Sequence, residues 1–166
     1  MREAFSLVPP YLRTDGNLDG VGGPPWFSEF GFQQTRSFRA LKTLMALKEY
    51  GRDGYREVIE GNLALAQHLA ARLAEAAGIQ VLGPQSLSIV CFRCVPPQLG
   101  DEKERVNAFN ERILERVQLG GEAFITGTNI DGVFWMRACI VNYRTTTAHI
   151  DALVELISRL GAEASA

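Results

Sequence analysis

The sequence predicts an α+β protein, a helical arm followed by a small antiparallel-sheet domain of order β-β-α-β-β-α. Three observations predict it. Apolar residues recur at spacings near three and four from about Gln33 to Gly78. Beyond Gly78 the spacing switches twice to short strand-like runs, in pairs. Each pair is followed by an amphipathic helix, the arrangement that puts helices on one face of an antiparallel sheet.

The first thirty residues differ from the rest. Ala4 to Val8 is apolar and ends at Pro9-Pro10; Leu12 to Pro25 then runs through Asp15-Gly16, Asp19-Gly20, Gly22-Gly23 and Pro24-Pro25. So many turn formers predict a long mobile loop, and loops of that length in compact domains are usually functional. The arm helix carries Phe38, Leu41, Leu44, Met45 and Leu47, and Gly51 stops it. A second helix starts near Asp53, a residue suited to an N-cap, with Tyr55, Val58, Ile59, Leu63, Ala66, Leu69 and Leu73 on one stripe. The domain boundary is expected there, with residues 1–50 as loop segment and linking helix and 51–166 as the α+β domain.

Ile79 to Leu82 and Leu87 to Cys94 read as strands on either side of Gly83-Pro84. The next helix turns Val106, Phe109, Ile113, Leu114 and Val117 inward and Glu102, Lys103, Glu104, Arg112 and Glu115 outward. Glu122 to Thr126 and Val133 to Val141 form the second strand pair around Asn129 to Gly132, and a last helix from about Thr147 buries Ile150, Leu153, Val154, Ile157 and Leu160. Gly161 to Ala166 reads as a frayed tail.

Composition narrows the function. The 166 residues are 46% hydrophobic and 22% charged, which excludes a disordered or collagen-like chain, and net charge −2 gives no basic field for nucleic acid or anionic lipid. The apolar runs Val133–Met136 and Ala138–Val141 are broken by Arg137 and too short to span a bilayer. Three cysteines, an odd and small number, fit a reducing compartment, so a soluble cytoplasmic protein is expected. Cys91 and Cys94 have CxxC spacing, but an offset of three on a strand sends them to opposite faces; no metal or thiol-redox site is expected. No GxGxxG, Walker-type loop or GxSxG occurs.

Arg137 is the unusual residue. By alternation it shares a face with Val133, Trp135, Cys139 and Val141 in the most apolar segment of the chain. A guanidinium there needs an anionic partner. That partner could be a structural ion-pair carboxylate or a ligand carboxylate clamped in bidentate fashion, and an exposed sheet edge would also accommodate the charge. Tyr11 reads either as a hinge anchor or as a phenol proton donor on a lid.

Three separated motifs carry a resemblance. Ala4-Phe5-Ser6-Leu7-Val8-Pro9-Pro10-Tyr11-Leu12, Thr35-Arg36-Ser37-Phe38-Arg39-Ala40-Leu41-Lys42, and Met136-Arg137-Ala138-Cys139-Ile140-Val141-Asn142 with Thr145 to Thr147 and Ile150 stand in the order seen in group II pyridoxal-phosphate-dependent amino-acid decarboxylases. The chain resembles the C-terminal part of that family over essentially its whole length, and the aromatic-amino-acid branch more than glutamate decarboxylase. The resemblance implies the C-terminal part of a fold-type I enzyme, homodimeric, with active sites at the subunit boundary. It implies a carboxy-lyase acting on an L-amino acid, with pyridoxal 5'-phosphate bound covalently through a lysine outside this chain. Lys42 and Lys48 lack the Asn-Pro-His-Lys context of that lysine, so the chain alone is expected to be inactive, as a fragment or split-gene product.

Residue by residue, the resemblance makes Tyr11 the loop tyrosine that protonates the substrate carbon after carbon dioxide leaves. It places Arg137 near the substrate carboxylate and Thr35 near the cofactor phosphate of the neighbouring subunit. The expected partners are an amino-acid substrate and either a second subunit or the missing N-terminal large domain. Without that support residues 1–32 are expected to be disordered, and the apolar side of the first helix to invite self-association. Two alternatives stay open: a non-enzymatic module that binds an amino-acid carboxylate or dimerises, and a pyridoxal-phosphate-dependent lyase relative of different reaction.

Overall fold

The computed structural model describes residues 37–165 apart from Ser86 and Asp101. The chain divides into two units, Met1–Glu49 and Tyr50–Ala166.

Helix α1 runs Ala40–Glu75 with a break at Gly51, whose φ of 63° and ψ of −174° lie outside the helical region. Glycine adopts that backbone without a Cβ penalty, which is why the expected stop falls there. In the first unit the helix is exposed on nearly every side, Phe38 and Met45 by 69% and 62%. In the second unit α1 splits lengthwise. Tyr55, Val58 and Ile59 are exposed, whereas Ala66, Leu69 and Leu73 are fully buried. The single stripe expected from periodicity therefore meets the sheet only in its C-terminal half.

The second unit holds a four-stranded antiparallel sheet in the order β1-β2-β4-β3, with β1 at Ile79–Val81, β2 at Ile89–Cys94, β3 at Thr126–Ile130 and β4 at Val133–Cys139. A 3-10 turn, Pro97–Leu99, precedes α2 at Lys103–Gly120, and α3 spans Thr147–Ser165. The α+β order expected from sequence is the observed one. Register sets the two faces: Ile79 pairs with Cys94, Val90 with Ala138, and Phe92 with Met136. These side chains pack with Phe109, Ile113 and Val117 of α2 and Ile150, Val154 and Ile157 of α3. All three helices contribute to the core on this one face, which is how a half-open antiparallel sheet buries its apolar side.

Two asparagines one turn apart on α2 tie the helix to the sheet ends. Asn110 is fully buried; its Oδ1 accepts from the Cys94 amide at 2.7 Å, and its Nδ2 donates to the Cys94 and Val106 carbonyls at 2.8 Å each. The side-chain amide thus supplies the pairing that the end of β2 would otherwise lack, so no buried backbone group there is left unmet. Asn107 does the same for β4, accepting from the Phe134 amide at 2.9 Å and donating to the Gly132 carbonyl at 3.0 Å.

Several boundaries differ from expectation; β1 ends at Val81 rather than Leu82, and β2 begins at Ile89 rather than Leu87. The third strand is Thr126–Ile130 rather than Glu122–Thr126, because the hairpin turns on Asp131-Gly132. Both residues have positive φ, 52° and 73°, as a two-residue primed turn requires. Gly127 then lies on the core face under Phe134, where a Cβ would come within 2.5 Å of the ring. Strand β4 ends at Cys139, so Val141 lies beyond it and is exposed. The tail expected to fray instead continues α3 to Ser165. Glu163 bridges to Arg116 at 2.6 Å, tying this last turn to α2.

A polar contact joins α1 to α3: Asp151 Oδ1 lies 2.9 Å from His68 Nε2 and 3.1 Å from Arg72 Nε. The hydrogen bond with His68, then that from Arg72, holds the Asp151 carboxyl below the usual carboxylate range against the opposing effect of burial. Among the described residues no helix is long and apolar enough to cross a membrane.

Candidate functional site

The face of the sheet opposite the helices carries Gln80, Ile89, Cys91, Arg93, Thr126, Thr128, Ile130, Val133, Trp135, Arg137 and Cys139, as the register dictates. Its strand residues include two guanidiniums and no carboxylate. Arg137 sits at its centre, on β4, directly opposite Cys91 of β2 on one side and Thr126 of β3 on the other. The face-sharing expected for Arg137 with Val133, Trp135 and Cys139 holds.

Arg137 is partly exposed, but its Nε is buried and has no hydrogen-bond partner among the described residues. A buried donor left unmet costs on the order of 1–3 kcal/mol, more when charged, so the arrangement is one that an incoming acceptor would relieve. The structural ion pair that the sequence left open for this arginine is absent among the described residues. Its charge acts instead on Cys91: burial pushes that thiol up, and the Arg137 guanidinium partly offsets the rise. Cys94 faces the core, where burial pushes its thiol up to about 12. The two cysteines thus point to opposite faces, as the strand offset implied.

Arg93 is the second guanidinium, and sequence reasoning passed over it. Its Nε donates to Gln80 Oε1 at 2.7 Å, and its guanidinium carbon lies 4.8 Å from the centroid of the Trp135 ring. Trp135 is 5% exposed although it stands on the face without helices. The signal that could have found the pair is the alternation that placed Arg137: Arg93 falls two residues beyond Cys91 on β2, and Trp135 two residues before Arg137 on β4.

Tyr11 and Thr35, the other site residues expected from sequence, lie outside the described residues, as does the loop at residues 1–32.

The model of the pyridoxal-dependent decarboxylase conserved domain matches residues 1–95. The chain belongs to the pyridoxal-dependent decarboxylase family. It is 29% identical over 166 residues to the aromatic-L-amino-acid decarboxylase of Bacillus atrophaeus, covering 99% of this chain and 34% of that protein. Against tryptophan decarboxylase 2 of Oryza sativa subsp. japonica it is 31% identical over 155 residues, covering 93% and 30%. The crystal structure of Oryza sativa TDC with PLP and tryptamine superposes with a TM-score of 0.73 at 25% identity, over 79% of this chain and 28% of that one. Catharanthus roseus tryptophan decarboxylase in complex with L-tryptophan gives a TM-score of 0.72 at 23% identity, a likeness of fold, over 82% and 29%. The chain therefore spans about a third of the length of these relatives.

The family's cofactor is an aldehyde that needs an amine to hold it. The sequence has three lysines. Lys42 and Lys48 lie on the exposed first part of α1, and Lys103 donates its Nζ to the Asp131 carbonyl at 3.0 Å on the surface of the hairpin turn. Lys103 stands outside the four strands whose register forms the open face. Arg137, with its buried Nε unmet among the described residues, fits an anion.

Proposed function

We propose that this chain is the C-terminal part of a pyridoxal-phosphate-dependent decarboxylase acting on an aromatic L-amino acid, with Arg137 as the residue that takes the substrate carboxylate. The observation that carries the reading is the buried Nε of Arg137, without a partner among the described residues and on a face whose strand residues include no carboxylate, in a chain of this family. A planar guanidinium suits a carboxylate because two parallel N–H donors match its two oxygens. The aromatic preference is supported by the relatives, which include a tryptophan decarboxylase and tyrosine decarboxylases.

On the same reading Tyr11 delivers a proton from the loop and Thr35 lies near the cofactor phosphate. The lysine that binds the cofactor belongs to a part of the enzyme that this chain does not contain, and the active form is a homodimer. The 1–50 and 51–166 segments then serve as catalytic-loop arm and small domain. Pyridoxal phosphate added to the purified chain, followed by borohydride and intact mass, tests this division of labour. The expected result is no stoichiometric reduced adduct; a single adduct at Lys42, Lys48 or Lys103 would mean that the chain builds its own cofactor site and would overturn the reading. In the assembled enzyme, Tyr11→Phe is expected to abolish amine formation while substrate still binds.

A further inference from the structure

Cys91 has CxxC spacing to Cys94, but strand alternation turns Cys94 into the core; the thiol that shares the open face with Cys91 is Cys139. Register fixes their relation. Cys91 of β2 stands opposite Arg137 of β4, and Ile89 stands opposite Cys139, so the two thiols are diagonal neighbours on adjacent strands. Arg137 completes the group, opposite one cysteine and two residues before the other. Cys139 is exposed, Cys91 is partly exposed, and neither is in a disulfide.

Spacing decides what the pair can do. Diagonal neighbours lie about 7–8 Å apart between Cα atoms, beyond the reach of about 4.4–6.8 Å that a disulfide needs. A bridging metal relaxes that limit, because two metal–sulfur bonds of about 2.3 Å each replace one sulfur–sulfur bond of about 2.05 Å. The donor set then chooses the metal. Zinc in a closed site takes four ligands, and calcium and magnesium take oxygen. Among the described residues no group of three or more His, Cys, Asp or Glu could hold a metal ion, and the strand residues of the open face include no carboxylate. Two thiolates alone suit a soft monovalent cation, which accepts linear ligation by two sulfurs.

Charge selects in the same direction. A monovalent cation between two thiolates forms a complex with one net negative charge. Its neighbour is a guanidinium whose buried Nε has no acceptor among the described residues. Arg137 also opposes the rise that burial imposes on the Cys91 thiol, which favours the thiolate that a metal needs.

We propose that Cys91 and Cys139 form a two-thiolate site for a soft monovalent cation of the copper(I) class, with Arg137 as its counter-ion. On binding, both S–H bonds break, the two protons pass to solvent, and two metal–sulfur bonds form; the metal keeps its oxidation state. The site does not depend on the carboxylate role given to Arg137 above, because its ligands are the two thiolates.

The test uses the full chain, reduced and kept free of oxygen, titrated with copper(I) presented as its coloured bicinchoninate complex. The expected result is transfer of one copper per chain, with no change in oligomeric state by light scattering. Cys91→Ser and Cys139→Ser should each weaken binding by about 10²–10⁴-fold, the gain that a second linked ligand gives. Cys94→Ala, which removes the core thiol, should leave it unchanged. Arg137→Gln should weaken binding by about ten- to hundredfold, as loss of an outer-shell partner does. Cys91→Ala takes the place of the serine variant if the latter does not melt cooperatively. Binding that survives either cysteine variant, one copper shared between two chains and lost in Cys139→Ser alone, or no transfer of copper to the parent chain would overturn the site. An unchanged affinity in Arg137→Gln, with both cysteine variants impaired, would keep the thiolate pair and overturn the counter-ion.

Discussion

The two faces of the sheet are built on opposite principles. On the helix side apolar side chains pack together, and Asn110 gives the end of β2 both a donor and an acceptor. On the open side an arginine keeps a buried N–H without an acceptor among the described residues, and a second arginine is stacked on a tryptophan. One face spends its contacts on stability, and the other leaves a polar requirement for a ligand to fill. Substitutions on the helix side should therefore cost stability, and those on the open side should cost binding.

The largest stability effect is expected at Phe92, which is fully buried at the centre of the helix-covered face. Phe92→Ala should lower unfolding free energy by about 3–5 kcal/mol through lost burial and the cavity left behind, read by urea denaturation of the chain. Asn110→Ala comes next, at about 2–3 kcal/mol, because it leaves the Cys94 amide and carbonyl buried without partners. Gly127→Ala should cost about 1–3 kcal/mol as the new methyl group forces the Phe134 ring aside. A loss below about 0.5 kcal/mol at Asn110 would show that the helix-side pairing is replaced by water, and the contrast between the faces would weaken.

The open face should behave in the reverse way. Arg137→Met removes the unmet N–H and keeps the apolar stem, so thermal stability should stay level or rise by up to about 1 kcal/mol. A clear loss of stability, comparable with that of Asn110→Ala, would instead make Arg137 part of the packing and blur the distinction.

This division also explains what was legible in the sequence. Phe109, Ile113 and Val117 announced the core because apolar side chains repeat with the period of the element that buries them. Arg137 stood out because it interrupts such a run. Asn110 did not, since an asparagine on a helix reads as surface until the strand end it serves is in place. Arg93 was hidden for a related reason: its meaning comes from Trp135, forty-two residues later, and only strand register brings them together. The third strand was misplaced because Asp131-Gly132 has the composition of many turns, and only its positive backbone angles make it the hairpin corner.

The smallest expected effect lies where α1 and α3 meet, and it sharpens the comparison through pH. Asp151 has its carboxyl held below the ordinary range, chiefly by the hydrogen bond with His68 and secondarily by Arg72. A carboxyl whose folded pKa is depressed contributes stability that is fully present above its unfolded value, near 3.9, and is lost as pH falls through the folded value. The group is solvent-exposed, so its contribution is modest and screened by salt. Stability measured from pH 6 down to pH 2 should show an acid-side decline that Asp151→Asn makes shallower, with little difference between the two proteins below the folded pKa. Arg137→Met, on the other face, should leave that decline unchanged. If Asp151→Asn and the parent chain lose stability in parallel across the whole interval, the contact between α1 and α3 does not draw on the carboxylate's charge, and the hydrogen-bonded geometry alone accounts for it.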